Sequence, residues 1–187
     1  MAIYLIRHGE TEWSLQHRHT GSSDIPLTPR GEAQAQGLRS RLAGLTFARV
    51  ISSPLQRACA TARLSGIQPD AEMSPLLTEF DYGDYEGITS AEIQRTRPGW
   101  DLWRDGCPGG ESADQVVERG RRLLAGLEAE PDLNYALFGH GHILRAVTVA
   151  YLGTPVGLAR HLMLKVGSIS ILSQEHEVPA IEAWDLA

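Results

Sequence analysis

At 187 residues, 42% of them hydrophobic and 21% charged, the chain has the size of one domain that buries its own core without disulfides or a structural metal. A formal charge of -6 excludes the basic field that nucleic-acid binding needs to displace counterions, and no run approaches the roughly eighteen apolar residues of a membrane span. Cys59 and Cys107 are too few and too far apart, without CxxC spacing, for a disulfide framework or a cysteine zinc site.

The opening Met1–Arg7 has no basic start and too few apolar residues for a secretory signal, so a soluble, cytoplasmic protein is expected. Residues 2–6 predict a short apolar strand. Thr28-Pro29 then supplies an N-cap and a first-turn proline for a helix to about Ala43. Val50 and Ile51 predict a second strand, and Ser53-Pro54 repeats the helix-start signal for a helix that Gly66 stops. Capping boxes at Thr89–Glu92 and Ser112–Gln115 open two further helices, the second running to near Pro131. Tyr135–Phe138 predicts a third buried strand, Ile143–Leu152 a helix, and Thr154-Pro155 a short helix after it. Leu162–Val166, Ile169–Leu172 and Ile181–Trp184 predict the closing strands. No repeat or linker divides the chain, so residues 1–187 are expected to form a single domain. Short apolar strands alternating with helices predict an α/β fold: a three-layer α/β/α sandwich, its mixed sheet mainly parallel, with helices on both faces.

In open α/β sheets ligands bind beyond the carboxyl ends of the strands, and three of those ends share one chemistry. The first strand delivers Arg7-His8-Gly9, the second Ser52-Ser53 with Arg57 shortly after, and the third Gly139-His140-Gly141-His142. Two arginines and two histidines therefore converge on one crevice. Arg57 is expected in the first turn of its helix, where the macrodipole disfavours a cation and a bound anion would relieve it. Glycines beside His8 and His140, Gly141 among them, let backbone approach a ligand closely. A neutral imidazole is a competent phosphoryl nucleophile when its other nitrogen donates a hydrogen bond that fixes the tautomer. Flanking arginines would keep His8 neutral and clamp phosphoryl oxygens.

Phosphoryl transfer to water also needs a carboxyl group to protonate the leaving alkoxide and deprotonate the water. The stretch from Leu77 to Gly87 holds four candidates, Glu79, Asp81, Asp84 and Glu86, and the chemistry alone does not choose among them. A zinc site at His140-x-His142 is disfavoured, because guanidinium groups beside His8 would repel the cation; no metal and no cofactor are expected.

Arg7-His8-Gly9-Glu10-Thr11, followed in order by Ser52-Ser53-Pro54-x-x-Arg57 and Gly139-His140-Gly141-His142, resembles the histidine phosphatase superfamily, the phosphoglycerate mutase-like proteins. The resemblance spans the whole chain. It implies that His8 is the phosphorylated residue, with Arg7, Arg57 and His140 around the phosphate. It also implies that Glu79, in a Leu-x-Glu pattern, is the acid and base. Thr20-Gly21 match a segment that contacts phosphate, Arg18 falls where an arginine is common, and Ser14 stands where many relatives carry an asparagine. With Tyr82 and Gly141 these residues make up the expected phosphate-binding set. The Gly-Cys-Pro-Gly-Gly-Glu-Ser loop and the stretch Asp81–Gly87 are similar to the subgroup typified by a sedoheptulose bisphosphatase and a mycobacterial acid phosphatase.

Trp100, Trp103 and Arg104 either close the core or form a lid, with Arg104 receiving a second anionic group. His17, His19, His161 and His176 read as surface or satisfied residues, and Arg119, Arg121, Arg122 and Arg145 as helix-surface ion pairs. The implied function is a phosphatase for small phosphorylated metabolites, sugar phosphates foremost, with no nucleic acid or membrane partner and with a homodimer left open. The alternatives are mutase-type phosphoryl transfer, disfavoured because the chain has little room for the insertion that mutases carry, and a silent phosphate-binding module.

Overall fold

The computed structural model describes residues 1–67, 71–127 and 133–186. Strands β1 (Ala2–Arg7), β2 (Arg49–Ser52), β3 (Glu72–Met73), β4 (Asn134–Gly139), β5 (Ile169–Glu175) and β6 (Val178–Leu186) form one sheet in the order β3-β2-β4-β1-β5-β6. The first four are mutually parallel, while β5 runs antiparallel to both β1 and β6. The helices are α1 (Glu12–Leu15), α2 (Pro29–Leu42), α3 (Gln56–Ser65), α4 (Ser90–Thr96), α5 (Leu102–Asp105), α6 (Ala113–Ala125) and α7 (Gly141–Leu152).

The period-two alternation of strand side chains sorts the core into two layers. In β4, Tyr135 and Leu137 point to one face and Ala136 and Phe138 to the other. Val116 and Val117 of α6 and Ile143 and Val147 of α7 cover the first face, and Leu38 and Leu42 of α2 with Ala62 of α3 cover the second. Full burial of side chains such as Leu137 and Phe138 contributes roughly 1.5 to 3 kcal/mol each. The mixed sheet with helices on both faces is the architecture expected from the sequence.

Local signals place most helix starts. Thr28 Oγ1 accepts from Gly31 N at 3.0 Å, and Thr89 and Ser112 complete capping boxes. Three expectations are corrected. Helix α3 begins after Leu55, which makes no side-chain cap; Ser53 Oγ, two residues earlier, accepts from Leu55 N at 3.3 Å and lies 2.8 Å from His140 Nε2. Helix α6 ends at Ala125; the expected end near Pro131 lies outside the described residues. Residues 162–166 form no strand, since side chains rather than a neighbouring strand satisfy their backbone: Arg7 Nη1 donates to Leu164 O, Trp184 Nε1 to Met163 O, and Lys165 N to Asp185 Oδ1. The short helix expected after Thr154-Pro155 is a 3-10 helix at Val156–His161.

Candidate active site

In the parallel pair β1–β4, Arg7 stands opposite Gly139, so the residues that follow, His8 and His140, leave the sheet side by side. Their ring centroids are 5.1 Å apart, tilted by 58°. Strand β2 pairs with β4 in parallel, with Ser52 opposite Phe138, which brings Ser53 to the same end of the sheet.

His8 is buried, and its Nδ1 lies 2.7 Å from the carbonyl oxygen of Gly9. A carbonyl only accepts, so Nδ1 carries the proton and Nε2 keeps its lone pair. Burial, then the charges of Arg7 and Arg57, hold the imidazole well below its ordinary pKa. The neutral ring with a free Nε2 lone pair is the form that attacks phosphorus.

Arg57 is fully buried one residue into α3. Its Nε donates to His140 Nδ1 at 3.0 Å, its Nη1 to Ser23 O at 2.8 Å, and its Nη2 to Thr20 O and Gly21 O at 3.0 Å each. Four of the five N–H groups of a guanidinium are thereby taken. The carbonyls of residues 20, 21 and 23, not only a ligand, therefore answer the charge that the α3 macrodipole disfavours. Arg57 and His140 stand behind the cavity wall and support His8 from the side.

Arg7 lines the cavity directly. Its Nη1 donates to Leu164 O, while its buried Nε has no acceptor among the described residues. A Cβ added at Gly141 would sit 3.2 Å from Arg7 Cζ, so the absent side chain there is what admits the guanidinium.

Glu79 is buried opposite. Its Oε1 accepts from the backbone N–H groups of Phe80 (2.9 Å), His142 (3.1 Å) and Ile143 (2.9 Å), and its Oε2 accepts from His142 N at 2.9 Å. The carboxylate thus caps the first turn of α7, where the helix dipole favours an anion. Burial alone would raise its pKa, but the hydrogen bonds from His142 prevail and hold it well below the ordinary carboxylate value. The Tyr82 hydroxyl lies 2.6 Å from His142 Nδ1. Of the four acidic candidates, Glu79 alone lines this cavity; Glu86 instead accepts from Gly21 N and Ser23 N.

The cavity measures about 450 Å³, and Ser14, Arg18, Thr20 and Tyr82 also line it. Gly21 does not: its N–H is spent on Glu86 at 2.9 Å, which corrects its expected contact with phosphate. Ser14 Oγ is drawn into the α1 capping box, accepting from Thr11 N and donating to Thr11 O, each at 2.9 Å. Trp100 and Trp103 serve in both the core and the cavity wall. Arg104 is turned away onto Asp105, at 2.9 and 2.7 Å, so it offers no second anion site.

Sequence reasoning missed Arg145, which is no surface ion pair. Its guanidinium lies over the Trp103 ring at 5.2 Å, with Nε donating to Ala159 O at 2.8 Å, and it lines the cavity. The signal was its spacing three residues beyond His142, which puts both on one face of α7. His17 and His19 also reach the wall. Four arginines, Arg7, Arg18, Arg145 and Arg160, thus face two carboxylates, Glu79 and Asp101, a balance that favours anionic ligands. Among the described residues no group of three or more His, Cys, Asp or Glu side chains is disposed to hold a metal ion, and no helix is long and apolar enough to cross a membrane.

Comparison with known proteins gives a consistent result. A family model described as "Histidine phosphatase superfamily (branch 1)" matches residues 3–187. An acid phosphatase of Mycobacterium tuberculosis is 39% identical over 180 residues, spanning 94% of this chain and 88% of its own. A "Probable phosphoglycerate mutase GpmB" of Cronobacter sakazakii is 33% identical, over 98% and 90% of the two chains. Among solved structures, an open reading frame product of Mycobacterium tuberculosis superposes with a TM-score of 0.94 at 36% identity, covering 100% and 97%. The mycobacterial glucosyl-3-phosphoglycerate phosphatase in complex with VO3 gives 0.88 at 30% identity, covering 100% and 99%.

Proposed function

The chain belongs to the histidine phosphatase superfamily, and from that membership we propose that it hydrolyses phosphate monoesters of small metabolites through a phosphohistidine on His8. The observation that carries this reading is the hydrogen bond from His8 Nδ1 to Gly9 O, which leaves Nε2 as the attacking atom.

In the first step the Nε2 lone pair forms a bond to phosphorus as the ester P–O bond breaks, and the departing alkoxide takes a proton from Glu79. In the second, water attacks phosphorus and gives its proton to Glu79, the P–N bond breaks, and its electron pair returns to Nε2. Arg7 meets the phosphoryl oxygens, and the charge of Arg57 adds to the same field. Without ligand Glu79 is held ionised, so the first proton must arrive with the substrate. A phosphate monoester has its second ionisation near about 6 and brings that proton itself on the acid side of neutrality. The phosphoryl dianion beside Glu79 then raises the carboxyl pKa and makes the transfer feasible.

A small phosphorylated metabolite, a sugar phosphate or phosphoglycerate derivative, fits a cavity with surplus arginines whose wall includes Trp100 and Trp103. Two free cysteines, Cys59 and Cys107, fit a reducing cytoplasm. The test is phosphate release from p-nitrophenyl phosphate and a sugar-phosphate panel, with and without EDTA and vanadate. Chelator-insensitive turnover that vanadate inhibits is expected; turnover lost to EDTA or no turnover at all contradicts the reading. The relative called a mutase favours one alternative, which interconversion of 2- and 3-phosphoglycerate in the same assay would establish.

A further inference from the structure

The loop that presents Glu79 is a thin partition. On one side lies the cavity with His8, and on the other a second cavity of about 380 Å³, bounded by Gly21, Leu55, Thr78, Asp81, Glu111 and Arg119. Among the described residues Glu79 is the one that lines both. Burial of Leu77 and Phe80 fixes how deep the loop sits, and the N–H groups of Phe80, His142 and Ile143 hold the carboxylate itself, so what remains to be held between the two cavities is the backbone that carries it.

Arg119, on α6, fills that role with directed bonds. Its Nη1 donates to Leu76 O (3.1 Å) and Thr78 O (2.8 Å), and its Nη2 to Glu79 O (3.1 Å). The same guanidinium is locked in a two-point pair with Glu111: Nε to Oε1 at 2.7 Å and Nη2 to Oε2 at 2.8 Å. Glu111 Oε2 also accepts from Asp81 N at 2.9 Å, so the two side chains hold the loop before and after Glu79. The planar fork cannot rotate without breaking several bonds together, which a lysine would not reproduce. Residues 111 and 119 are eight apart, and their loop partners lie 30 to 43 residues away, so nothing local in the sequence marks the node.

We propose that Arg119, locked to Glu111, is a positioning residue for the Glu79 carboxylate. It sets the reach of that group to the leaving oxygen, in addition to any share in stability. The inference rests on Glu79 being the acid and base proposed above.

The experiment measures kcat and KM for p-nitrophenyl phosphate and for an alkyl phosphate in the wild type, Arg119→Lys, Glu111→Gln and Glu79→Gln, alongside the melting temperature of each. A p-nitrophenolate leaves without protonation, whereas an alkoxide does not. Misplacing the acid by a fraction of an ångström should therefore lower kcat/KM, which ends at the phosphoenzyme and leaves out the water step common to both esters, by about tenfold to 100-fold for the alkyl ester while p-nitrophenyl phosphate loses far less. Glu111→Gln, the milder change, should move the same ratio in the same direction and covers the case in which Arg119→Lys fails to fold. An unchanged ratio beside a lowered melting temperature, with Glu79→Gln showing the selective loss, overturns the positioning role and leaves Glu79 intact. A Glu79→Gln enzyme without selective loss overturns the assignment of Glu79 itself and the present inference with it.

Discussion

Arg57 Nε donates to His140 Nδ1 across 3.0 Å, which obliges the neutral His140 to carry its own proton on Nε2, toward Ser53 Oγ at 2.8 Å. One arginine thereby fixes the tautomer of the second histidine and, through the Thr20, Gly21 and Ser23 carbonyls, the loop beside it. Arg57→Lys keeps the charge and loses the fork. The expected result is a fall of about 100-fold in kcat/KM for p-nitrophenyl phosphate. Activity within a few-fold of wild type would show that charge alone suffices.

Glu79→Gln removes the ionisable group but keeps the size of the side chain and an oxygen for the α7 cap. Loss of general acid–base catalysis should cost about 100- to 10,000-fold on an alkyl phosphate and distinctly less on p-nitrophenyl phosphate. The ratio of the two kcat/KM values, read at one pH, decides the matter. Equal losses would move the acid to another group.

The pH profile follows from His8. Protonation of Nε2 blocks attack, so kcat/KM falls as pH drops through the folded pKa, and burial with Arg7 and Arg57 places that pKa well below the ordinary value. The expected acid limb of kcat/KM therefore lies below about 6.5, where a free imidazole titrates. Measured with a substrate whose own ionisation is known, a limb at or above that pH would mean that the ring is not shielded as described.

Below the site the chain crosses itself at two glycines. A Cβ added to Gly31 would lie 2.1 Å from Glu10 O, and one added to Gly9 2.2 Å from Gly31 O. Gly31→Ala must push the His8–Glu10 segment off α2, an overpacking cost of roughly 1 to 3 kcal/mol that should lower the melting temperature by about 2 to 12 °C. A thermal melt checks it, and an unchanged melting temperature would show that the crossing relaxes freely.

What was legible in the sequence is what local chemistry decides. Strands β1, β2 and β4 read out because each is a continuous apolar run buried on both faces. The starts of α2, α4 and α6 read out because Thr28, Thr89 and Ser112 cap their own helices. The grouping of His8, Ser53 and His140 followed from strand ends. Strand β3 escaped notice because it is two exposed residues, Glu72 and Met73, that acquire their conformation only by pairing with Ile51 and Ser52. Residues 162–166 have the apolar content of a strand, but distant side chains satisfy their backbone, so composition misled. Arg145 and Arg119 were read as surface charges because their partners, Trp103, Thr78 and Glu79, are brought to them only by folding.

The central claim is that Nε2 of residue 8 takes the phosphoryl group. Rapid quenching of the enzyme with phosphorus-labelled substrate, followed by peptide mapping under alkaline conditions and 31P NMR of the trapped species, tests it directly. The account predicts an acid-labile phosphoramidate on Nε2 of His8, absent from His8→Ala together with turnover. Label on another residue or on Nδ1, or steady phosphate release by His8→Ala, would contradict it.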